Sequence, residues 1–377
     1  MENLFFTNPL TPSQLRMRKE PRPDEERDLR GPYFRDTTAV IHSSPFRRMK
    51  HKTQVFFAPK NDHICTRIEH VMHVSTIAAT ICRALNLDSD LAWAIGMGHD
   101  LGHTPFGHLG ETILAKLRGV EGFRHEMYSL HVVDHLTNHG QGLNLTHAVR
   151  DGIINHCGEK FEQSLAPDFS IKQLNSITDR SEYPCTWEGT VVRMSDKIAY
   201  LGRDLEDALR LGIVEQSQIP DRAAQVLGTT NSQIIDTLVM NVIETSNATG
   251  KIGMGDDVYE AFLEMKDFNY RHIYRSDVLE ALHPGFERVL TILYEYLSEL
   301  FQKNGFEPEA YGDQPNSLAH GFASYASTMH DYYRTEPNPH ANVVFDFLAG
   351  MTDDYALDAV NEIMVPQSYT LRISKGR

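Results

Sequence analysis

The chain has 377 residues, of which 41% are hydrophobic and 23% are charged, and this composition excludes fibrous and intrinsically disordered classes. The length allows one large domain or two to three small ones. Acidic residues number 51 and basic residues 36, so the net charge is −15, which disfavours a surface that is basic throughout and coated by nucleic acid.

The cysteines and the N-terminal residues bear on location. Four cysteines, none of them in a CxxC pair, predict neither a disulfide framework nor a cysteine zinc site. The first residues lack the basic and apolar regions of a secretory signal, and no run of about 18 apolar residues predicts a membrane span. We therefore expect a protein of a reducing compartment, the cytoplasm, with no membrane contact.

The N-terminal part differs in charge from the rest of the chain. Residues 1–60 contain 12 basic and 7 acidic residues, whereas the remainder is strongly acidic. Residues 1–30 are rich in proline and charge, and we predict a flexible basic arm there. Such an arm either remains solvated or meets a polyanion such as single-stranded nucleic acid, for which Tyr33, Phe34 and Phe46 would suit base stacking.

Helical periodicity dominates after this arm. Apolar residues recur at helical spacing across residues 66–86, and Asp88 is a suitable N-cap for a short helix that ends near Gly96 and Gly98. Residues 158–186 show weak periodicity and predict the longest loop. Further helices are predicted over residues 109–118, 124–138, 146–156, 187–211, 219–227, 230–247, 256–274, 277–303, 317–334 and 338–363.

Strand signals are few, and residues 53–57 give only a weak one. There is no internal repeat, and gaps such as residues 304–316 have the length of loops rather than of domain linkers. The predicted fold is therefore all-α, with one large domain over residues 31–377 behind the arm.

Four residues form a candidate metal site, namely His70, His99, Asp100 and Asp196. His70 lies on the first long predicted helix, and Asp196 lies on the predicted helix 187–211. Adjacent residues of a helix diverge by about 100°, so His99 and Asp100 converge only at a helix end, which the neighbouring glycines permit. Two imidazoles and two carboxylates suit a divalent ion with positions left for water or a substrate oxygen. An isolated His-Asp dipeptide is more often structural, so the interpretation depends on the surrounding motifs.

Several stretches of the chain occur in the order of a known family. They are Ile41–Val55, Thr66–His70, His99–Glu111, Ser195–Asp207 and Phe347–Tyr355. Through them the chain resembles the HD-domain deoxynucleoside triphosphate triphosphohydrolases, the dGTPase-like branch of the HD-domain phosphohydrolases. The stretch from His99 to Glu111 is the most specific, and the resemblance covers most of residues 30–357.

The resemblance implies an HD-domain helical architecture and a reaction. A metal-binding core would extend over about residues 60–212, followed by a helical C-terminal part over about residues 213–377. The reaction would be hydrolysis of dGTP or several dNTPs to deoxynucleoside plus triphosphate, with water attacking the α-phosphorus. One divalent ion, Mn²⁺, Mg²⁺ or a similar metal, would lower the pKa of that water. Its ligands would be His70, His99, Asp100 and Asp196.

This reaction needs a general acid, since an alkoxide is a poor leaving group at neutral pH. His108 is the candidate, and Glu111, three residues later on the same helix face, favours the charged imidazolium. The family also places a histidine–glutamate pair here, and His125 matches a further family histidine that would orient the pair or touch phosphate. Without the resemblance, an exposed ion pair would be the better interpretation.

Other residues are candidates for binding the triphosphate. Arg67 shares a helix face with His70, and its guanidinium can bind phosphate oxygens in a bidentate manner. The others match family positions that face phosphate, and they are His103, Lys197, Tyr200 and Lys266. For Lys266 a solvated surface charge is an equally good interpretation, because its local motif is short.

Three residues are candidates for binding the sugar. By resemblance, Gln54 lies close to the sugar, Asp204 accepts a hydrogen bond from the 3′-hydroxyl, and Tyr274 packs against the deoxyribose. A ring against C2′ would exclude ribonucleotides by steric repulsion. From periodicity alone, Tyr274 is equally well interpreted as a core aromatic residue.

The chain departs from the family pattern at Glu126 and Tyr128, where many relatives have asparagine and glutamine, and this leaves base preference and activation open. Family members commonly form homo-oligomers, and several are activated by a bound dNTP, so both partners are expected here. Two other functions remain open. One is another HD-domain phosphohydrolase, such as a nucleotidase or phosphodiesterase, and the other is a non-catalytic HD scaffold that senses nucleotides or binds single strands through residues 16–52.

Overall fold

The computed structural model describes residues 6–23, 25–57, 61–120, 122–158 and 162–365. Its architecture is all-α, as predicted. The helices are α1 (Pro12–Leu15), α2 (Gly31–His42), α3 (Ser44–Arg48), α4 (Arg67–Ala84), α5 (Ser89–Gly98), α6 (Gly107–Arg118), α7 (His125–His131), α8 (His147–Ile154), α9 (Trp187–Arg210), α10 (Asp221–Leu227), α11 (Asn231–Thr249), α12 (Asp256–Asn269), α13 (Asp277–Glu280), α14 (His283–Asn304), α15 (Ser317–Thr328), α16 (His330–Tyr333), α17 (Pro339–Ala349) and α18 (Asp353–Met364). Two short strands, β1 (Ser164–Leu165) and β2 (Ile252–Gly253), pair antiparallel.

Most predicted helices are present, but some are divided. The predicted helices 277–303, 317–334 and 338–363 each consist of two helices. The last one is interrupted because Thr352 acts as an N-cap and accepts a hydrogen bond from the backbone N–H of Tyr355, which starts α18 anew.

The segment before α4 differs from the sequence-based expectation. Instead of the weak strand predicted at residues 53–57, the structure has a single bridge between Thr53 and Thr66. Periodicity also missed α2 and α3, which lie in the polar and basic part of the chain. The predicted loop over residues 158–186 is confirmed for its described residues, apart from β1 and one short 3₁₀ turn.

The core is built around α4, α5 and α9. The first of these begins after Thr66, whose backbone N–H donates to the Glu69 carboxylate at 2.8 Å in a capping box. Its apolar stripe, which includes the fully buried Val71, packs against α5 and α9. α9 begins after Thr186, whose hydroxyl accepts the amide of Gly189 at 3.0 Å. Among the C-terminal helices, α14 packs against α6 and α17.

The described part of residues 1–30 packs against the body, and the flexible arm predicted there stays a prediction. Phe6 is buried, and α1 contacts α8. The Arg18 side chain is 2% exposed and forms an ion pair with Asp36 at 2.6 Å. It also donates to the carbonyl of Asn144 at 2.7 Å, which ties the arm to the body. The division of the rest into a metal-binding core and a C-terminal part stays a prediction.

Two of the three aromatic residues considered for base stacking belong to the core. Tyr33 and Phe46 are each 7% exposed, whereas Phe34 is exposed. Stacking on bases is therefore ruled out for the first two by their burial. Among the described residues, no helix is long and apolar enough to cross a membrane.

Replacing Arg18 with alanine should destabilise the fold, because the fully buried carboxylate of Asp36 would lose its closer arginine partner and keep only Arg35, at 3.4 Å. Loss of one partner of a buried ion pair typically costs about 3–5 kcal/mol, which chemical denaturation would measure as a lower free energy of unfolding. Arg30→Ala is the control, since Arg30 pairs with Asp28 at the surface and should leave stability unchanged. Equal effects of the two variants would contradict the structural role of Arg18.

Candidate metal centre and active site

Three helices bring the predicted metal ligands together. His70 lies in the first turn of α4, His99 and Asp100 follow the last residue of α5, and Asp196 lies on α9. The two adjacent residues stand just beyond the end of α5, where His99 is the C-cap residue and still has helical dihedral angles.

Two glycines permit the close packing at this helix end. A Cβ at Gly96 would lie 2.5 Å from Ser75 Oγ, and a Cβ at Gly102 would lie 2.2 Å from the backbone nitrogen of Ser129. The Ser129 hydroxyl donates to the carbonyl of His99 at 2.6 Å and accepts the N–H of Gly102 at 2.8 Å. The backbone that carries the histidine is therefore held from two sides.

The separations of the donor atoms fit one ion. His70, His99 and Asp196 present ligand atoms that all lie within 4.8 Å of one another. Asp196 Oδ1 lies 3.0 Å from His70 Nε2 and 3.9 Å from His99 Nε2. Asp100 Oδ2 lies 3.8 Å from His70 Nε2. Ligand bonds of about 2.1 Å place donors up to about 4.2 Å apart around a metal.

The state of His99 also fits a metal ligand. Its Nδ1 donates to the carbonyl of Gly96 at 2.7 Å, which leaves the lone pair on Nε2. That Nε2 is buried and has no hydrogen-bond partner among the described residues. Burial lowers the pKa of His99 and so favours the neutral imidazole that metals bind. A divalent ion would satisfy this otherwise costly nitrogen.

Asp100 is the most connected residue of the site. Its Oδ2 accepts a hydrogen bond from Arg67, and its Oδ1 faces imidazole nitrogens. Burial alone raises a carboxyl pKa, but His103, His99 and Arg67 hold the pKa of Asp100 well below its usual range. The Nε2 atoms around Oδ1 are those of His103 at 3.2 Å, His99 at 3.5 Å, His156 at 3.8 Å and His125 at 3.9 Å.

Arg67 is buried, and its donors are used within the protein. Besides Asp100, it donates to the carbonyl of Thr53 at 3.0 Å and to that of Gln54 at 3.4 Å. Arg67 thus orients a carboxylate that we expect to bind metal. Its contact with substrate phosphate stays a prediction.

Glu111 is the centre of a second network, which contains His108 and His125. Its carboxylate lies 2.7 Å from Nδ1 of His103, 3.2 Å from Nδ1 of His125 and 3.3 Å from Nδ1 of His108. The rings of His103 and His125 stack with centroids 3.8 Å apart, whereas the His108 side chain is 73% exposed. Burial opposes the charge on Glu111, but the three histidines hold its pKa well below the usual range.

Two of the three residues predicted to bind the sugar, Asp204 and Tyr274, lie on α9 and just after α12. The Tyr274 hydroxyl donates to Asp204 Oδ2 at 2.6 Å, and burial raises the pKa of Asp204 to about 7. Tyr200 is one turn before Asp204, and burial raises its pKa as well. Gln54 is half-buried, and its Oε1 has no hydrogen-bond partner in the described chain.

The two predicted phosphate-binding lysines differ in environment. Lys197 follows Asp196 on α9, is 7% exposed, and has a pKa that burial lowers to about 8. Lys266 is half-buried on α12, which packs against α9, and burial lowers its pKa too. Burial therefore favours a site role more strongly for Lys197 than for Lys266.

Two residues outside the predicted set hold the loop between α5 and α6. Asp353 accepts the N–H of Phe106 at 2.9 Å and that of Thr53 at 3.1 Å. Phe106 needs this support because its φ of 62° is left-handed. The buried ammonium of Lys52 donates to the carbonyl of His103. No sequence spacing signals these contacts, because the partners are far apart in the chain.

His156 and Cys157 also reach the site, although the sequence analysis did not select them. His156 is 1% exposed, and burial together with the neighbouring His99 lowers its pKa to about 3. Cys157 Sγ lies 3.4 Å from His125 Nε2. One sequence signal points to His156, which follows a short apolar helix as His99 does. In the structure its Nδ1 donates to the carbonyl of Ile153 at 2.7 Å.

Only one of the two departures from the family pattern, Tyr128, lines a cavity itself, whereas Glu126 contacts a residue that lines another. Glu126 is buried and pairs with Arg180 at 2.7 Å, and Arg180 and Glu111 line a cleft of about 480 Å³. Tyr128 donates to Asp346 at 2.8 Å, and both line a larger cavity of about 850 Å³ that contains none of the predicted site residues. The first departure is therefore next to the candidate active site.

Comparison with known proteins agrees with this geometry. The HD domain family matches residues 67–183, and the phosphohydrolase-associated domain matches residues 252–362. A deoxyguanosinetriphosphate triphosphohydrolase-like protein of Desulfatibacillum aliphaticivorans is 35% identical over 369 residues, which are 96% of each chain. A protein of the same name from Caldanaerobacter subterraneus subsp. tengcongensis is 36% identical over 364 residues, 96% of this chain and 93% of that one. Another from Clostridium tetani is 32% identical over 351 residues, 91% of this chain and 88% of that one.

The helical fold, the histidine–aspartate centre and the HD match together define a metal-dependent phosphohydrolase. The chain belongs to the HD-domain family of deoxyguanosinetriphosphate triphosphohydrolase-like proteins. The HD match includes His70, His99 and Asp100 but ends before Asp196, so the distances given above are what associate Asp196 with the centre.

Binding of a divalent ion should stabilise the folded chain, because the ion binds the native site and not the unfolded chain. The stabilisation is about 2.7 kcal/mol at 100 times the Kd, and it would be measured as a higher Tm after Mn²⁺ is added to chelator-treated protein. His99→Ala should lose most of this shift, whereas His73→Ala, on the same helix as His70, should keep it. A wild-type Tm that responds to neither Mn²⁺ nor Mg²⁺ would contradict the metal site.

Proposed function

We propose that the chain hydrolyses deoxynucleoside triphosphates, dGTP or several dNTPs, to deoxynucleoside and triphosphate. The observation that carries this proposal is the adjacency of two networks, the donor group around His99 and the histidine group around Glu111. His103 joins them, since its two ring nitrogens lie 3.2 Å from Asp100 and 2.7 Å from Glu111. One network suits a divalent ion, and the other suits proton transfer and phosphate binding.

His70, His99, Asp100 and Asp196 would hold one divalent ion, Mn²⁺, Mg²⁺ or a similar metal. When bound, such an ion supplies a water of lowered pKa and positive charge for phosphate oxygens. Arg67 holds Oδ2 of Asp100 through its guanidinium, so the carboxylate keeps its orientation.

His108 is the proposed general acid for the departing 5′-oxygen. Its exposed ring borders the cleft of about 480 Å³, so a substrate can reach it. The carboxylate of Glu111, whose pKa the three neighbouring histidines hold well below its usual range despite burial, lies 3.3 Å from Nδ1 of His108. His125 stacks on His103 and contacts the same carboxylate, which fixes Glu111 in place.

The Asp204–Tyr274 pair is proposed to bind the sugar. Asp204 would accept the 3′-hydroxyl, and the ring of Tyr274 would lie against C2′ and exclude a ribose. The hydrogen bond between them fixes the ring, and a fixed ring discriminates better than a mobile one. Gln54 would lie near the sugar. The residues proposed to bind the triphosphate are Arg67, His103, Lys197, Tyr200 and Lys266.

The proposal extends to partners and location. Family resemblance supports a homo-oligomer and a dNTP activator in addition to the dNTP substrate. All four cysteines are thiols in the structure, which supports a reducing compartment such as the cytoplasm.

The phosphate product of the reaction tests the proposed function. Purified protein would be incubated with each dNTP and with the mixture, in Mn²⁺ or Mg²⁺, and phosphorus NMR would identify the product. We expect free triphosphate from the wild type and none from His99→Ala. Orthophosphate or pyrophosphate would instead indicate another HD-domain phosphohydrolase. Nucleotide binding without any product would indicate a sensing scaffold.

His108→Ala should keep its metal content and lose about 10²–10⁴-fold in turnover, which is the usual contribution of general acid catalysis. Turnover would be measured as triphosphate release, and bound metal by elemental analysis. His63→Ala, an exposed histidine elsewhere, is the control and should remain fully active. Full turnover in a metal-loaded His108→Ala variant would remove His108 from the mechanism.

A further inference from the structure

A second group of metal-binding side chains lies outside the networks around Asp100 and Glu111. Its members are His147 and Asp151, four residues apart on α8, and Cys185, two residues before α9. Their ligand atoms all lie within 4.8 Å of one another, and each residue is at most 2% exposed. Residues four apart share one face of a helix, so α8 presents two of the donors together.

His147 has an unused donor atom. Its Nε2 is buried and has no hydrogen-bond partner among the described residues. Burial lowers the pKa of His147 to about 4, so its ring is neutral at neutral pH and has a lone pair for a metal. A buried polar nitrogen without a partner is costly, and a cation would satisfy it.

Asp151 and Cys185 are held side by side. Asp151 Oδ1 accepts the backbone N–H of Cys185 at 2.6 Å, and its Oδ2 accepts the side-chain amide of Asn155 at 3.2 Å. Each carboxylate oxygen has a second lone pair, so neither bond prevents the carboxylate from binding a metal. Burial and the neighbouring Asp151 raise the pKa of Cys185, so the thiol keeps its proton until a metal displaces it.

Lys172 is the cation nearest to this carboxylate, and it has an acidic partner of its own. Its ammonium lies 3.6 Å from Asp151 Oδ2, beyond hydrogen-bond distance, whereas it pairs with Asp168 Oδ2 at 2.7 Å. It also donates to the carbonyl of Tyr183. A divalent ion bound by one thiolate and one carboxylate forms a neutral unit, which adds no charge beside Lys172.

We propose that His147, Asp151 and Cys185 bind a zinc ion through a ring nitrogen, a carboxylate oxygen and Sγ. These are the donor types that zinc uses in proteins, and water would take the fourth position of the tetrahedral ion. When zinc binds, the S–H bond of Cys185 breaks, a Zn–S bond forms, and the proton leaves to solvent. The CxxC spacing that the chain lacks is not needed, because α8 supplies the other two donors.

The ion would join three parts of the chain. The N–H of His147 donates to the carbonyl of Met17 at 2.7 Å, so the start of α8 is already tied to the N-terminal residues. Cys185 ends the loop that contains Arg180, the partner of Glu126 beside the candidate active site. Zinc would therefore fix this loop to α8, which is a structural role independent of the proposed function.

Cobalt substitution tests the proposal, because Co²⁺ bound to a thiolate has a strong charge-transfer absorption in the near ultraviolet. Wild-type protein loaded with Co²⁺ should show this band, and added Zn²⁺ should abolish it. Cys185→Ala and His147→Phe should both lose the band. Cys82→Ala is the matched control, since Cys82 is also fully buried, and it should keep the band. Cys157→Ala should keep it as well, which separates the site from the thiol beside His125.

Three outcomes would overturn the zinc site. One is a wild type without the thiolate band, and this result decides even if a variant does not fold. Another is a band that persists in Cys185→Ala, or in His147→Phe should the first variant not fold. The third is a band lost in Cys157→Ala and kept in Cys185→Ala, which would place the ion at the candidate active site. None of these readouts depends on whether the chain releases triphosphate.

Discussion

The buried carboxylate of Asp100 is the interaction on which the rest of the site depends. A carboxylate removed from water is tolerated only where positive charge and hydrogen bonds replace its hydration. The guanidinium of Arg67 donates to Oδ2 of Asp100, and imidazole nitrogens surround Oδ1. These partners come from α4, from the ends of α5 and α8, and from the start of α7. The helices must therefore meet at this point for the charge to remain buried.

Glu111 is a second buried carboxylate that requires positively charged or hydrogen-bonding partners. His103 lies between Glu111 and Asp100 and contacts both. Because one imidazole lies between both carboxylates, the charges form one electrostatic unit rather than two separate sites. Asp100 and Glu111 are both buried, and a low local dielectric strengthens the interactions of such charges. In the proposed function, this unit would hold a cation at its buried end, and the exposed His108 would be the proton donor at its other end.

The local sequence pattern predicts the long helices well. It does not predict features that depend on contacts between residues distant in the chain. The stripes of α4 and α9 follow helical spacing, so periodicity finds them. The charged sequence of the N-terminal arm predicts a solvated segment. Arg18 is nevertheless buried in an ion pair with Asp36, and no local sequence pattern indicates that the two residues pair. The interruption before α18 depends on a single capping residue, Thr352, within an otherwise continuous helical pattern.

For the candidate site, too, the sequence predicts some features and not those that depend on distant contacts. The motif stretches specify which residue types are available, including His99 and Glu111. They do not show that Asp100 serves several imidazoles at once, or that Arg67 faces it. None of the family motifs includes His156, so the sequence does not predict it as a site residue. The packing of α5 against α8 brings it beside His99.

The contact of Asp353 with the amides of Phe106 and Thr53 has a consequence for how the protein matures. All the histidines of the site lie in the first half of the chain, but this carboxylate lies near residue 350. During synthesis the histidines leave the ribosome long before it does. A nascent chain that ends before α18 has every side chain of the site and lacks the partner that fixes its loop. The loop between α5 and α6 therefore gains the support of Asp353 only after α18 has been synthesised.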